Sequence, residues 1–278
     1  MLLDMTDVDS TVCDDLDVGL EQIDPRFRGV GHLVGRDRFA RISAASICVV
    51  GLGGVGSWCV EALARSGVGR LTLIDLDEVC VTNINRQLQA LTDTVGRSKA
   101  DLLAARIEAI NPNCKVTAVK RFFTAQSADQ ILSERFDLVI DTIDSNEHKT
   151  TLIGECVKRS QPVLTVGSGG DRLDCLSATV ADLARTIHDP LLQIVRKNLR
   201  QQYGFPKGER ARFGVPCVYI PKQRGARDSS PDGGGAETKR SRRSCNDGLG
   251  SAAFVTGALG FIAAGEAIKM LCSQAPNP

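Results

Sequence analysis

The chain has 278 residues, 42% of them apolar, and a formal net charge of +1. That is enough apolar material to bury a full core, and no global field marks the chain as a binder of nucleic acid. Its ten cysteines, at 13, 48, 59, 80, 114, 156, 175, 217, 245 and 272, form no C-x-x-C pair, which argues against structural zinc of the two-pair type and against a disulfide framework. Mostly buried, reduced thiols are the expectation, and a cytoplasmic location with them.

Residues 1–25 carry eight acids (Asp4, Asp7, Asp9, Asp14, Asp15, Asp17, Glu21, Asp24) and no Lys or Arg. Such a stretch reads as a disordered acidic tail, and it has neither the pattern of a secretory signal nor that of a basic transit peptide. Ile47 to Val50 is a short β-branched run suited to a strand buried on both faces. It opens into Gly51-x-Gly53-Gly54-x-Gly56 and then a helix-compatible stretch from Ser57 to Arg65. Strand, glycine turn and helix aim free backbone N–H groups and the positive end of a helix dipole at a phosphate.

A strand over Arg70–Asp75 follows, then a helix from Ser98 to Ile110, with Ser98 as its cap and Asp101 three residues on. Asn111-Pro112 stops that helix, and Lys115–Val119 reads as a strand. Phe136–Asp141 is a strand, Glu147 to Arg159 a helix, and Pro162–Val166 another strand. Strands alternating with helices at this spacing imply an α/β, Rossmann-like, doubly wound and mostly parallel sheet. Ligands sit beyond the carboxyl ends of such strands, so Gly51, Asp75, Asp141 and Gly167 are expected along one edge, around one crevice.

From Ser168 the alternation loosens. Residues 26–167 are assigned to a Rossmann-like core built around the glycine turn and residues 168–278 to a C-terminal extension of the same domain, made of helices and antiparallel strands. Asp189-Pro190 opens a helix to about Gln202, with Arg196, Lys197 and Arg200 on or near one face. Residues 222–243 form a loop rich in Gly, Ser and charge, ending in Lys239-Arg240-Ser241-Arg242-Arg243, whose basic end suits phosphates. The stretch from Gly248 to Leu271 is long and apolar, but its glycines, alanines and Glu266 favour a packed core or subunit-contact helix over a membrane span.

A glycine turn with an acid some twenty residues on (Asp75) would suit NAD. The sequence adds more: Asp77, Asn83, Asn85, Arg86, Gln87, Lys99, and the pair Asp141 and Asp144. Arg86 offers a planar fork to phosphate oxygens, Lys99 a point charge, and a carboxylate beside them suits magnesium. This combination fits a triphosphate.

Together, Gly51-x-Gly53-Gly54-x-Gly56, Asp75-x-Asp77, Asn83-x-Asn85-Arg86-Gln87, Lys99 and Asp141-x-x-Asp144 resemble the nucleotide site of the ubiquitin-activating and sulfur-carrier-adenylating superfamily. The resemblance implies ATP with magnesium and activation of a carboxylate as an acyl-adenylate. It assigns the ribose to Asp75, phosphate contacts to Asn83, Arg86 and Lys99, and magnesium to Asp144. It also implies a homodimer, in which an N-terminal Arg reaches the partner's ATP; Gly29 stands where that Arg is usual, which leaves Arg26 or Arg28 for the role.

Within the superfamily, Asp182 to Leu191, Gly214 to Val218 and Cys245 to Gly250 are similar to the branch that dehydrates threonylcarbamoyladenosine in tRNA. The missing C-x-x-C pairs favour that branch over the sulfur-carrier branch, and a tRNA substrate is the partner it implies. A carrier-protein adenylyltransferase, with a sulfur-transfer partner and a working Cys217 or Cys245, is the alternative. An NAD-dependent oxidoreductase is the third reading, which Arg86, Lys99 and Asp144 oppose. His32, His148 and His188 have no metal-like spacing; His188 alone lies inside a dehydratase-like block.

Overall fold

The computed structural model describes residues 20–222 and 250–273. Most of the acidic tail, most of the basic loop, Cys13 and Cys245 lie outside the described residues. The chain enters through a 3-10 turn, Leu20–Gln22, and two short helices, α1 (Arg28–Val34) and α2 (Arg36–Ala44). It then winds β1 (Ser46–Val50), α3 (Gly54–Arg65), β2 (Arg70–Ile74), α4 (Lys99–Ile110), β3 (Lys115–Val119), α5 (Ala125–Ile131), β4 (Leu138–Asp141), α6 (Asn146–Lys158) and β5 (Val163–Val166). The remainder is β6 (Thr179–Asp182), α7 (Pro190–Gln202), β7 (Pro216–Tyr219) and α8 (Ala253–Ser273).

The strands form one seven-stranded sheet in the order β3-β2-β1-β4-β5-β7-β6. All neighbours are parallel except β6 and β7. The expectation of a doubly wound, mostly parallel sheet therefore holds. The C-terminal extension differs in detail: β7 continues the parallel set beside β5, and only β6 at the edge runs the other way. Strand order reverses between β1 and β4, and their ends are level, with Val50 opposite both Ile74 and Asp141. A crevice at that switch point is where such sheets take ligands.

Local chemistry sets the boundaries. Ser98 Oγ accepts the Asp101 N–H at 3.3 Å, and Asp189 Oδ1 accepts the Leu192 N–H at 3.0 Å, so both caps expected from sequence form. Besides α1 and α2, three later elements escaped the sequence pattern. Helix α5 is a single polar stretch capped by Thr124, β6 is a half-exposed edge strand, and β7 has four residues beginning at a proline. None of these three is long enough to show a period.

Two cores line the faces of the sheet. One packs β1, β2 and β4 against α3, α4 and α8, and the other packs the sheet against α5, α6 and α7. Helix α8 is long and apolar enough to cross a membrane by length and composition, and 50% of its most apolar window is buried. Val255, Leu259, Ala263, Ala264 and Ala267 are buried in the first core, and Gly257 and Gly260 lie against Trp58 of α3, whose ring meets Phe261 edge-on at 5.9 Å.

Candidate functional site

The carboxyl ends of β1, β2, β4 and β5 collect the residues expected there. Gly51 leaves β1 with φ +90, and a Cβ on it would lie 3.1 Å from the Thr142 carbonyl. Gly56 approaches so closely that its Cβ would sit 1.9 Å from Gly51 O. Only glycine allows the first turn of α3 to close on the loop. Gly53 precedes the helix without a side-chain cap, so the N–H groups at the start of α3 are left for an anion in the crevice.

Asp75 ties this loop to β2. Its Oδ2 accepts the Leu52 N–H at 2.6 Å and its Oδ1 the Asp77 N–H at 2.8 Å. Burial pushes the Asp75 carboxyl above the usual carboxylate range, against the pull of the Lys99 ammonium and those two N–H donors. Each carboxylate oxygen keeps a lone pair, enough for ribose hydroxyls. Lys99 begins α4 nearly buried, with Nζ 2.9 Å from Asp77 Oδ2. Residues 77–79 and 96–99 are zipped together by backbone bonds, which hold the lysine beside both acids.

The segment after the Val81–Asn83 turn is sewn to the helices. Asn83 is buried, and its Oδ1 accepts the Cys80 N–H at 3.1 Å. The Arg86 carbonyl accepts both the Trp58 indole N–H of α3, at 3.1 Å, and the Thr256 hydroxyl of α8, at 3.0 Å. Asn85 Nδ2 donates to Ser251 O at 2.7 Å, and Gln89 Nε2 donates to the Leu52 carbonyl at 2.8 Å and to Gln87 Oε1 at 3.3 Å. Among the described residues, the Arg86 guanidinium itself uses only one nitrogen, Nη1, on Thr82 O and Asn85 Oδ1. Its backbone is fixed while its fork is still available.

At the end of β4, Thr142 Oγ1 donates to Gly51 O at 2.5 Å, which brings the Asp144 loop against the glycine turn. Asp144 is exposed, and no hydrogen bond or ion pair among the described residues engages its carboxylate. Asp141 has a different role from the one its place beside Asp144 suggested. It is fully buried, 2.9 Å from the Nζ of an equally buried Lys149, and takes a hydrogen bond from Thr165 Oγ1 at 2.7 Å. Lys149 also donates to Ile143 O at 2.9 Å, so the pair pins the loop that carries Asp144. Burial pushes the Asp141 carboxyl up, and the ammonium and the hydroxyl pull it back. Lys149 was not foreseen; the signal was its place on the apolar stripe Lys149, Leu152, Ile153, Cys156.

Other residues fall elsewhere. Arg26 is chelated by Asp24, and Arg28 is held by the Ile23 and Glu21 carbonyls. Between them Phe27 packs toward Phe39 and Gly67, at the amino ends of the strands. A five-residue strand spans about 16 Å, so neither arginine shares an edge with the crevice of its own chain. Arg196 is half-buried and bonds Thr186 Oγ1, and Arg200 lies over the Phe213 ring, which leaves Lys197 as the exposed cation of that trio. His188 is exposed beside the cap of α7 with φ +54.

No cysteine among the described residues sits exposed. Cys217 is fully buried, and burial pushes its thiol up; the same cause takes Cys59 and Cys156 to about 12 and Cys114 to about 11. Alkylation of the native protein at mildly alkaline pH should spare Cys48, Cys59, Cys114, Cys156 and Cys217 on peptide mass mapping. Labelling of Cys217 before unfolding would contradict this burial.

A parallel sheet with a glycine turn, a buried acid, cations and a free carboxylate around its switch point defines an α/β nucleotide-binding protein. The chain belongs to the ThiF family, whose model matches residues 28–278. It is 42% identical to the tRNA threonylcarbamoyladenosine dehydratase of Escherichia coli (strain K12), over 90% of this chain and 94% of the relative. It is 37% identical to the enzyme of that description from Bacillus subtilis (strain 168), over 86% and 91%. The crystal structure of the E. coli dehydratase in complex with ATP is also similar, with a TM-score of 0.77 and 41% identity over 88% of this chain and 93% of that one.

Proposed function

We propose that this chain is an ATP-dependent dehydratase that cyclises threonylcarbamoyladenosine in tRNA through an acyl-adenylate. The observation that carries the reading is the exposed Asp144 carboxylate, on a loop that Thr142 pins against the glycine turn, with Arg86 and Lys99 on the segments that follow the neighbouring strand β2. A free carboxylate resists attack because its oxygen is a poor leaving group. Adenylation lets that oxygen depart with AMP.

In this reading Asp75 orients the ribose, and the N–H groups of α3, with Asn83, Arg86 and Lys99, hold the phosphates. Arg86 and Lys99 balance the charge that develops at the α-phosphate as the threonyl carboxylate attacks and pyrophosphate leaves. A second group of the same nucleoside side chain then closes on the activated carbonyl, with net loss of water. Both reacting groups belong to one substrate, so proximity contributes strongly. Magnesium fits as a companion of the triphosphate: no cluster of three or more metal-ligating side chains occurs among the described residues, and Asp144 plus phosphate oxygens supply hard donors. It neutralises phosphate charge, and Asp144 would hold it.

A cytoplasmic homodimer completes the proposal, with Arg26 or Arg28 of one copy serving the crevice of the other. Helix α8 is read as a core helix, without membrane insertion. Lys197 and the basic segment 239–243 are the candidate tRNA contacts. The carrier-protein reading has less support, since Cys217 is buried and the E. coli sulfur-carrier adenylyltransferase matches only 45% of this chain.

The test is incubation with ATP, magnesium and tRNA bearing threonylcarbamoyladenosine, followed by nucleoside mass spectrometry. Loss of one water that depends on ATP and disappears in Asp144→Ala is expected. An unchanged nucleoside, with pyrophosphate exchange on a Gly-Gly carrier tail instead, would overturn the assignment.

A further inference from the structure

We propose that Asp189 is a positioning residue for the dehydration. Locked by Arg172, its carboxylate holds the loop that leaves β5 in register with helix α7, so the wall of the crevice and the helix that carries Lys197 move as one body. The two oxygens of Asp189 serve two elements. Oδ1 accepts the Leu192 N–H at 3.0 Å and so caps α7, while Oδ2 accepts the Ser168 N–H, also at 3.0 Å, just past the end of β5. Residue 167 has to be glycine for this, because a Cβ there would stand 2.7 Å from Asp189 Oδ2.

Arg172 closes the node from the far end of the loop. Its Nε donates to Ile220 O at 3.0 Å and its Nη1 to Gly170 O at 2.8 Å, while Nη2 stands 3.7 Å from Asp189 Oδ2. Both side chains are buried, and Nη2 has no hydrogen-bond partner among the described residues. A buried ion pair with an unmatched nitrogen is a costly way to fasten a loop for stability alone. What it does is fix the backbone where the chain has two adjacent glycines, Gly169 and Gly170.

The loop so fixed lies on the crevice. β5 is the parallel neighbour of β4, with Thr165 level with Asp141, so the loop emerges beside the one that carries Asp144. It also reaches the start of α3: a Cβ on Gly169 would lie 3.3 Å from Thr256 Cγ2 and 4.0 Å from Val55 Cγ2, in the first turn of that helix. Asp75, the glycine turn and Asp144 follow the ends of β2, β1 and β4, which leaves the β5 side for the incoming carboxylate. No hydrogen bond among the described residues engages the Gly169 N–H there, a donor suited to an oxygen of that group. The inference rests on the reading of the crevice as the site of adenylation.

The test compares the full chain with Asp189→Asn, Arg172→Met and Arg172→Lys. The amide keeps Oδ1 for Leu192 but turns a donor, Nδ2, toward the Ser168 N–H, so the loop is released while α7 stays capped. Calorimetry gives the Kd of ATP, and nucleoside mass spectrometry gives kcat and KM on the modified tRNA. Asp189→Asn and Arg172→Met are expected to lower kcat about ten- to a hundredfold, the cost of a displaced reacting group, with the ATP Kd unchanged. Arg172→Lys keeps the charge and should recover part of the loss. A general loosening of the fold would raise the ATP Kd as well. That result, or kinetics like the parent's in all three variants, overturns the assignment. A parent chain that binds ATP and leaves the tRNA nucleoside unchanged would instead overturn the reading of the reaction. A thermal melt accompanies each variant. If the buried variants fail to fold, Gly169→Ala decides, since its methyl crowds Thr256 without touching the ion pair. A smaller loss of kcat at unchanged ATP Kd is expected there, and parent-like kinetics would overturn the proposal.

Discussion

Arg86→Ala is expected to lower the rate of ATP-dependent pyrophosphate release by a factor on the order of a hundred to a thousand, the usual cost of deleting one preorganised donor at developing charge. The fold should survive, because the arginine acts through a side chain that the core does not use. What holds the segment is the Arg86 carbonyl, which keeps its bonds from Trp58 and Thr256 whatever side chain the residue carries. Stopped-flow phosphate-sensor kinetics with excess inorganic pyrophosphatase, alongside a thermal melt, separate the two contributions. A variant that melts like the parent and turns over like it would remove Arg86 from the machinery. Arg86→Lys keeps a charge but loses the planar fork, so a partial recovery is expected.

Lys149→Met has the largest expected effect on stability. It strands a fully buried carboxylate, and breaking such a pair costs about 3–5 kcal/mol. The companion change Asp141→Leu should restore much of the loss, since an apolar pair of similar volume needs no compensation. The deficit of the single variant also depends on pH. Without Lys149, burial raises the folded-state pKa of Asp141 above its unfolded value, so the folded chain binds the proton more tightly. The penalty is then absent below the unfolded pKa and grows as pH rises through the window up to the folded one. Melting curves of parent and variant should converge on acidification. A deficit that does not change with pH would mean that the carboxylate is not its source.

The two variants probe opposite sides of one loop. Asp144 is free to meet a ligand because Asp141, three residues earlier, is committed to the interior. The spacing that made the two acids look like one pair conceals this division. A four-residue strand alternates its faces, and the exit turn decides which acid follows the sheet inward and which follows the loop outward. The same limit applies to Arg26 and Arg28. Their charge suited a phosphate contact, but Phe27 between them carries them to the amino ends of the strands. A role at an ATP site would have to be played on a second copy.

Local patterns were legible in the sequence because their causes are local. The glycine turn, Asp75 at the next strand end, the Ser98 and Asp189 caps, and the alternation that makes a parallel sheet all follow from propensity, period and capping chemistry within a few residues. Tertiary structure alone decided the rest. It placed β7 beside β5, clamped the Arg86 carbonyl between α3 and α8, buried Lys149 against Asp141, and set Phe122 against His148. Each of these joins segments distant in sequence, and no periodicity records which buried group meets which. The physical reason is that burial turns a charge or a hydrogen-bonding group into a demand for a partner. Only the packed chain determines where that partner comes from.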